Sequence, residues 1–249
     1  MRTSLIVLAL GSLGTLATAC TTSTPTTPGT DELSGENGQD GEQAKADGAD
    51  TFGYIAVHKS GAFDCKNPLT CISYELTRVN RSTIKCNDNA YHDQCGVKAV
   101  AWDQLNLSQT KINKIEAAIQ AEAADPTIGT QVIVKGDYKI FVDFLAFVPT
   151  EVWIAQRADG NSDGTFVQIA DRGVRCITAP CPVFEESRIN STRAAAIDGI
   201  DWDDSADSAL QEKVYDQTTK GGAIVVGYRT YGSASAKLRS VGQVYLPVK

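Results

Sequence analysis

The sequence predicts an α+β fold built from two tandem, duplicated antiparallel-sheet units, each with one helix and local disulfides. Two segments carry the first observation: an aromatic residue lies three positions, and an asparagine nine positions, after Cys71 and again after Cys181. Each segment is followed by an alternating apolar run that ends in Trp-Asp. Both copies then close with runs of β-branched and aromatic residues, which are typical of strands. Internal similarity of this kind indicates repeated structural units.

The first 19 residues predict an export signal. Arg2 precedes an apolar run that ends near Leu16, and small residues follow as far as Cys20. A membrane-spanning helix needs about 20 apolar residues, so this shorter run is expected to be cleaved. The segment resembles the lipobox of bacterial lipoproteins, which implies lipidation of Cys20 and, with Thr21 after it, anchoring in the outer membrane. The alternative is a cleaved secretory signal followed by an incidental cysteine.

Residues 20–50 predict a disordered Thr/Pro-rich and then acidic tether. They contain almost no large apolar side chain, so they cannot offset the entropy lost on ordering. Seven acidic residues and one lysine lie in this segment, and they account for most of the chain's net charge of −7. The rest of the chain is therefore close to neutral, which gives no reason to expect a nucleic-acid partner.

The first repeat unit is predicted at 51–158. Ser108 can cap a helix whose residues Ile112, Ile115 and Ile119 fall on one face, with Leu107 and Ile112 as a hydrophobic staple. Two strand-like runs follow, "TQVIVKGDYKIF" and "FLAFVPTEVWIA". An inserted segment, "IKCNDNAYHDQC", has no counterpart in the second copy.

A linker turn at 159–165 leads to the second repeat unit at 166–249. The linker alternates Asp159, Asn161 and Asp163 like the front half of a calcium loop, but Ala170 stands where that loop needs a glutamate. We therefore interpret it as a turn. The second unit repeats the order of the first, with the helix "SALQEKVYDQ" and the strand runs "GAIVVGYRTY" and "SVGQVYLPV".

Asn80 and Asn190 occupy matching places in the two units. They open "NRS" and "NST", which look like glycosylation acceptors. We expect instead that each asparagine ends a strand and that its side chain bonds to nearby backbone.

Six cysteines remain when Cys20 is set aside for lipid, and six allow 15 pairings. The second unit contains only Cys176 and Cys181, which are therefore predicted to pair with each other. Duplication then predicts the pairs Cys65–Cys71 and Cys86–Cys95, in an oxidising compartment. A zinc site formed by Cys86, His92 and Cys95 is the alternative for the insert.

The segment "CITAPCPVF" predicts a rigid turn that protrudes between two strands. Prolines on both sides of Cys181 fix φ at two positions, and a disulfide across four residues restrains the rest. One interpretation is a structural staple. The other is a recognition loop formed by Ile177, Thr178, Ala179 and Pro180, because a loop ordered before binding loses less entropy on contact.

Catalytic signals are few. Neither His58 nor His92 has a second histidine or a convincing partner at metal spacing, and no nucleophile elbow, phosphate loop or dinucleotide fingerprint is present. One acidic cluster could hold a cation or support two-carboxylate chemistry. Its members are Asp198, Asp201, Asp203, Asp204 and Asp207. Asp203 and its counterpart Asp103 each precede a helix, so we expect them to favour the helix N-terminus. The sequence therefore predicts no enzyme, no cofactor and no metal.

These motifs together resemble an uncharacterised family of bacterial lipoproteins, a domain of unknown function in which the unit often occurs twice. The resemblance spans 54–249 and implies an exported, anchored protein with disulfides, without assigning any catalytic residue. The favoured hypothesis is a non-enzymatic cell-envelope protein that binds a protein or an envelope polymer. A protease inhibitor using the Cys176–Cys181 loop is the second hypothesis, and a hydrolase using the cluster from Asp201 to Asp207 is the third.

Overall fold

The computed structural model describes residues 53–61, 72–141, 144–157, 160–202 and 207–249. Several predictions lie outside these ranges: the signal segment, Cys20, the tether, the pair Cys65–Cys71, and three aspartates, Asp159, Asp203 and Asp204. In the described residues the protein is mostly β, with two helices, a curled antiparallel sheet and two local disulfides.

The elements up to residue 157 are eight strands and one long helix. The strands are β1 (Ile55–Lys59), β2 (Tyr74–Arg78), β3 (Ile84–Lys85), β4 (Tyr91–His92), β5 (Cys95–Val97), β6 (Ala99–Val100), β7 (Val132–Phe141) and β8 (Phe144–Ala155). Helix α1 (Gln109–Ala124) precedes β7, with short 3-10 turns at Trp102–Leu105 and Pro126–Ile128 on either side of it.

The remaining elements are eight further strands and a second helix. The strands are β9 (Thr165–Asp171), β10 (Phe184–Arg188), β11 (Ala194–Ile197), β12 (Gly199–Asp201), β13 (Ala223–Gly227), β14 (Arg229–Tyr231), β15 (Lys237–Ser240) and β16 (Gln243–Pro247). Helix α2 (Ser208–Thr219) lies between β12 and β13, and a 3-10 turn at Ser233–Ser235 lies between β14 and β15. Neither α1 nor α2, the long helices of the described residues, has the length and apolar character needed to cross a membrane.

One sheet runs through both parts of the chain. Ten of its strands follow the order β11-β10-β9-β13-β16-β8-β7-β1-β2-β5, and β6 joins it by parallel pairing with β8. Two smaller sheets are formed by β12, β15 and β14 and by β3 and β4. The central contact is the antiparallel pair β16–β8, in which Leu246 lies opposite Ile154.

The apolar side chains form three cores on the two faces of this sheet. Ile55 and Val57 of β1 enter a first core that also holds Ile115 and Ile119 of α1. Val214 of α2 lies in a second core, against β9, β13 and β16. Successive side chains of a strand point to opposite faces. The intervening residues therefore build a third core on the other face.

The third core joins the two parts of the chain. Its members come from β1, β7 and β8 on one side and from β13 and β16 on the other, with residues from the ends of β2 and β10. Tyr54 and Trp153 lie in it with ring centroids 5.1 Å apart. Tyr245 is fully buried in it. The curl of the sheet thus encloses apolar side chains on the face that carries neither helix.

The helix start signals are only partly as predicted. Ser108 is the N-cap residue of α1, but its side chain makes no capping hydrogen bond. Asp103 lies in the first turn of the 3-10 helix Trp102–Leu105, and a separate residue, Ser108, is the N-cap of the long helix that follows. Asp207 caps α2 by accepting a hydrogen bond from the Ala209 amide at 2.9 Å. A carboxylate at this position satisfies an amide that lacks an intrahelical partner.

Asn80 and Asn190 end β2 and β10 in the left-handed conformation, each with a φ of 59°. Their side chains bond to backbone far away in the sequence, which corrects the expectation of nearby partners. The Asn80 side chain accepts a hydrogen bond from the Phe166 amide and donates to the Phe166 and Ile189 carbonyls. Asn190 accepts from the Tyr54 amide and donates to the Tyr54 and Val79 carbonyls. We call this pair of residues the asparagine clasp.

A buried ionic cluster supports β14 and β15. Glu186 of β10 is fully buried, and its two carboxylate oxygens contact Arg229 and Arg239. The Nε atoms of these arginines lie 3.0 Å and 2.7 Å from the carboxylate. Arg239 also donates to the Gly227 carbonyl. A buried charge is tolerated when it is paired in this way.

Candidate recognition loop

The loop 172–183 connects β9 and β10 and protrudes from the edge region of the sheet. Cys176 and Cys181 form a disulfide within it, with Cα atoms 5.7 Å apart. This is the pairing that the sequence predicts, as is the Cys86–Cys95 disulfide of the insert. The Ala179–Pro180 peptide bond is cis. The predicted turn between two strands is therefore present.

The base of the loop is closed by hydrogen bonds of Arg172. Its amide donates to the Val183 carbonyl at 2.9 Å, and its guanidinium donates to the Pro182 carbonyl at 2.9 Å. These bonds continue the β9–β10 ladder by one residue pair into the loop. The two ends of the loop are consequently held at a fixed separation.

Asp171 organises the outgoing side of the loop. It accepts a hydrogen bond from the Gly173 amide at 2.7 Å, where Gly173 has a φ of +68°. The Arg175 guanidinium donates to both oxygens of the same carboxylate, at 3.0 Å and 2.7 Å. The Arg175 hydrogen bonds, with the Gly173 amide, lower the pKa of Asp171 to about 2. Bidentate arginine–carboxylate pairs of this kind fix geometry as well as charge.

The tip of the loop is exposed. Every residue from 172 to 180 is exposed, and the Ile177 side chain has the full exposure of an extended chain, at 103%. Val174 is also exposed. An apolar side chain held in water by a restrained backbone makes no contribution to a core. It is available for contact with another molecule.

The predicted acid cluster does not act as a unit in the described residues. Asp198 accepts a hydrogen bond from the Lys237 amide, Asp201 from the Thr230 hydroxyl, and Asp207 caps α2. Each of these three carboxylates therefore has a separate structural partner. No group of three or more histidines, cysteines or acids could hold a metal ion in the part of the chain that the structure describes.

The zinc interpretation of the insert is wrong, because Cys86 and Cys95 are joined as a disulfide. His92 instead pairs with Asp88 at 2.8 Å on the surface. Between β8 and β9, the Asn161 side chain accepts a hydrogen bond from the Asp163 amide. The insert also forms one wall of a cavity of about 310 Å³ whose lining includes Arg78, Lys85 and Tyr138.

His58 has hydrogen-bond partners that the sequence did not reveal. Its Nδ1 lies 2.5 Å from a carboxylate oxygen of Glu122, and its Nε2 lies 2.8 Å from the Thr77 hydroxyl. The three residues come from β1, β2 and α1. No local spacing connects them, and only the packing of the helix against the sheet brings them together.

In the residues that the structure describes, these features define a class: a mostly β domain with two helices, two short-range disulfides and an exposed, restrained loop. The chain belongs to a family described as a domain of unknown function, DUF6748, whose model matches residues 54–249. No curated protein and no solved structure is significantly similar to the chain.

Proposed function

We propose that this is a lipid-anchored protein of the bacterial cell envelope, attached to the outer membrane through Cys20, which binds a protein partner through residues 172–180. The loop acts by binding and not by catalysis. The observation that carries this proposal is the fully exposed Ile177 at the tip of a loop restrained by a disulfide. Restraint before binding reduces the entropy lost on association.

The loop's polar contacts support the same function. The bonds of Asp171 and Arg172 stay within the loop and its base, so they remain intact when a partner covers the tip. Binding energy at interfaces is concentrated in a few well-packed side chains. Ile177 is the apolar candidate for that role in this loop.

We further propose that residues 51–158 and 166–249 are duplicated units. The strand pairings that support this are β1–β2, β1–β7 and β7–β8 in one half and β9–β10, β9–β13 and β13–β16 in the other. The parallel pairs β6–β8 and β12–β15 also correspond when β15 is matched to the beginning of β8 and β16 to its end. The reciprocal hydrogen bonds of the asparagine clasp, and a β8–β16 register centred on Ile154 and Leu246, are consistent with approximate twofold symmetry.

The binding proposal is tested by crosslinking capture from an envelope extract with the lipid-free chain 51–249. Ile177→Asp should weaken capture of the partner at least tenfold, because a charge would enter the contact. Ile140→Asp is the matched control, since Ile140 is 74% exposed at the far end of β7. Capture that is equal for the wild type and Ile177→Asp, or no specific capture by the wild type, would exclude the proposal.

The anchoring proposal has its own test. A Cys20→Ser variant of the full chain should move from the membrane fraction to the soluble periplasmic fraction, because the lipid can no longer be attached. Metabolic labelling with a radioactive fatty acid should mark the wild type and not the variant. Unchanged membrane association of Cys20→Ser would contradict this anchor.

The protease inhibitor is a second candidate, favoured by the exposure of the whole segment between the two cysteines. A protease reads the side chains on either side of the bond it attacks, so Thr178→Arg or Ala179→Arg should direct inhibition toward proteases that cleave after arginine. Inhibition constants of the wild type and of both variants, measured against a broad panel of proteases, test this candidate. If the wild type and both variants inhibit no protease, this candidate is excluded.

A further inference from the structure

His58, Thr77 and Glu122 form a linked hydroxyl, imidazole and carboxylate. The distances are 2.8 Å from Thr77 Oγ1 to His58 Nε2 and 2.5 Å from His58 Nδ1 to Glu122 Oε1. Because a carboxylate only accepts, Nδ1 carries the proton that lies between His58 and Glu122. In the neutral imidazole Nε2 is then an acceptor for the Thr77 hydroxyl proton.

Glu122 is held in place by a second contact. Its other oxygen accepts a hydrogen bond from the Gln131 amide at 2.9 Å. The Glu122 side chain is 13% exposed, whereas the His58 side chain is 26% exposed. The carboxylate is thus mostly covered, while the imidazole remains within reach of small molecules from solvent.

We propose that Thr77 is a nucleophile activated by His58, with Glu122 as the positioning residue, and that it accepts an acyl group from small carboxylic esters or thioesters. A nucleophile, an adjacent base and a third group that orients the base are the signature of covalent catalysis. This inference goes beyond the binding function and uses residues remote in sequence from loop 172–180.

The reaction balances without a redox partner. Thr77 Oγ1 forms a bond to the acyl carbon as its proton passes to His58 Nε2, and the ester C–O bond breaks. His58 then gives that proton to the leaving alcohol. Water attacks the acyl-Thr77 ester in the second step, with His58 taking and returning its proton, so that the carboxylic acid leaves and the hydroxyl is restored.

The other half of the chain supplies an internal control. Thr77 lies on β2, two residues after Glu75, which pairs with His58 of β1. Ser187 lies in the same way on β10, two residues after Glu185, which pairs with Ala170 of β9. Ser187 therefore has a hydroxyl in a similar strand position without an imidazole beside it. Both hydroxyls are on partly buried residues, so a reaction that needed only a hydroxyl in this setting would modify both.

The test uses an alkyl fluorophosphonate, which forms an Oγ–P bond with loss of fluoride and leaves a stable adduct. The full chain should acquire one adduct, mapped to Thr77 by tandem mass spectrometry. Thr77→Val, which keeps the side-chain shape, and His58→Ala should lower the labelling rate at least about 100-fold, the usual range for general base catalysis. Thr77→Ser should retain labelling, and Ser187→Ala should label like the wild type.

Glu122 needs a readout that a merely structural role would not change. The proton between His58 and Glu122 should give a signal far downfield in the NMR spectrum of the wild type. Glu122→Gln should abolish this signal and slow labelling at least about tenfold, while circular dichroism shows an unchanged fold.

Two results would overturn the proposal. One is the absence of an adduct on the folded wild-type protein. The other is an adduct that forms as fast in Thr77→Val as in the wild type. Ile177→Asp should label normally, so failure of this inference and failure of the binding proposal can be told apart.

Discussion

At the scale of single residues, the asparagine clasp explains why the same residue follows both β2 and β10. Asparagine tolerates the left-handed conformation better than most residues, and its amide both donates and accepts. Asn190 uses both properties, since it has a φ of 59° and bonds the amide and carbonyl of Tyr54. No other side chain combines these features at similar size.

Asn190→Ala should lower the free energy of unfolding by about 3 kcal/mol or more. The variant removes the Asn190 hydrogen bonds to two carbonyls and one amide, at about 1 kcal/mol each, and alanine adopts the left-handed conformation less readily than asparagine does. Urea denaturation measures the loss. Asn190→Gly should lose about 1 kcal/mol less stability than Asn190→Ala. Glycine loses the same side-chain hydrogen bonds, but it adopts the left-handed conformation without a steric cost. Equal stability of Asn190→Ala and the wild type would contradict the clasp.

The sequence predicted the strand ends at Asn80 and Asn190 but not the partners. The partners of Asn190 lie 111 and 136 residues away in the sequence, and no periodicity or turn rule relates positions so far apart. The same limit applies to His58, Thr77 and Glu122. Local patterns determine where a strand stops, while the packing of the whole sheet determines what the last side chain meets.

The carboxylate of Asp171 predicts how the recognition loop responds to acid. Its pKa of about 2 is lowered chiefly by Arg175 and also by the Gly173 amide. A carboxylate whose pKa is lowered in the folded protein stabilises the fold fully above its ordinary pKa of about 3.9. This stabilisation is lost as the pH falls through the pKa of the folded state. The Gly173 amide signal in NMR should therefore titrate with a midpoint of about 2.

Arg175→Gln provides the control for that titration. Without the guanidinium, the midpoint for the Gly173 amide should rise toward the ordinary range for aspartate. An unchanged midpoint in this variant, or a midpoint near 4 in the wild type, would show that Arg175 does not hold the carboxylate. The expected result would establish that the loop keeps these polar restraints at every pH well above about 2.

At the scale of elements, the two disulfides are predicted to differ in their contribution to stability. Cys176 and Cys181 close a short exposed loop, so their replacement by alanine should cost about 2 kcal/mol. Cys95 is 3% exposed in the first core, so Cys86→Ala with Cys95→Ala should cost about 4 kcal/mol from lost crosslinking and lost packing. Urea unfolding of both double variants tests the order. A larger loss for the exposed pair would contradict it.

Regular strands were predictable and irregular ones were not. The run "FLAFVPTEVWIA" coincides with β8, and the predicted isoleucine face of α1 is buried at Ile115 and Ile119. The run "GAIVVGYRTY", by contrast, is divided at Tyr228 into β13 and β14, which belong to different sheets. The polar segment of β15 was not predicted, because it is stabilised by the pairing of Arg239 with buried Glu186 and not by an apolar pattern.

At the scale of the whole molecule, the shared sheet predicts cooperative unfolding. The third core takes residues from both halves, and β8 pairs directly with β16. Neither half can lose its structure without exposing apolar surface of the other. Far-UV circular dichroism and tryptophan fluorescence should therefore report one urea transition with a single midpoint, the usual test of two-state behaviour.

Two core variants make the cooperativity prediction specific. Ile119→Ala removes packing from the first core and Val214→Ala from the second. Each variant should lower the free energy of unfolding by about 2 to 4 kcal/mol. Each should therefore move the single urea transition to a lower urea concentration. Two separated transitions, with each variant moving only one of them, would show that the halves unfold independently.

The sequence predicted the helices and the β-rich character but not the joining of the strands into one sheet. Pairing of β8 with β16 links Ala155 to Tyr245 across an intervening helix and seven strands. Strand runs carry no information about which distant run they will meet. The apolar residues of β1 also divide between two cores, one on each face of the sheet. Alternation of side chains along a strand does not by itself show whether the second face is buried or exposed.

The position of β16 affects the order in which the newly made chain can fold. It is the last described strand in the chain and yet occupies the middle of the sheet. During synthesis the polypeptide emerges with its N-terminus first, so the edge of β8 that pairs with β16 stays open until β16 arrives. An exposed strand edge is a template for pairing with other chains. Release of β16 from the ribosome is consequently the event that closes this edge to other chains.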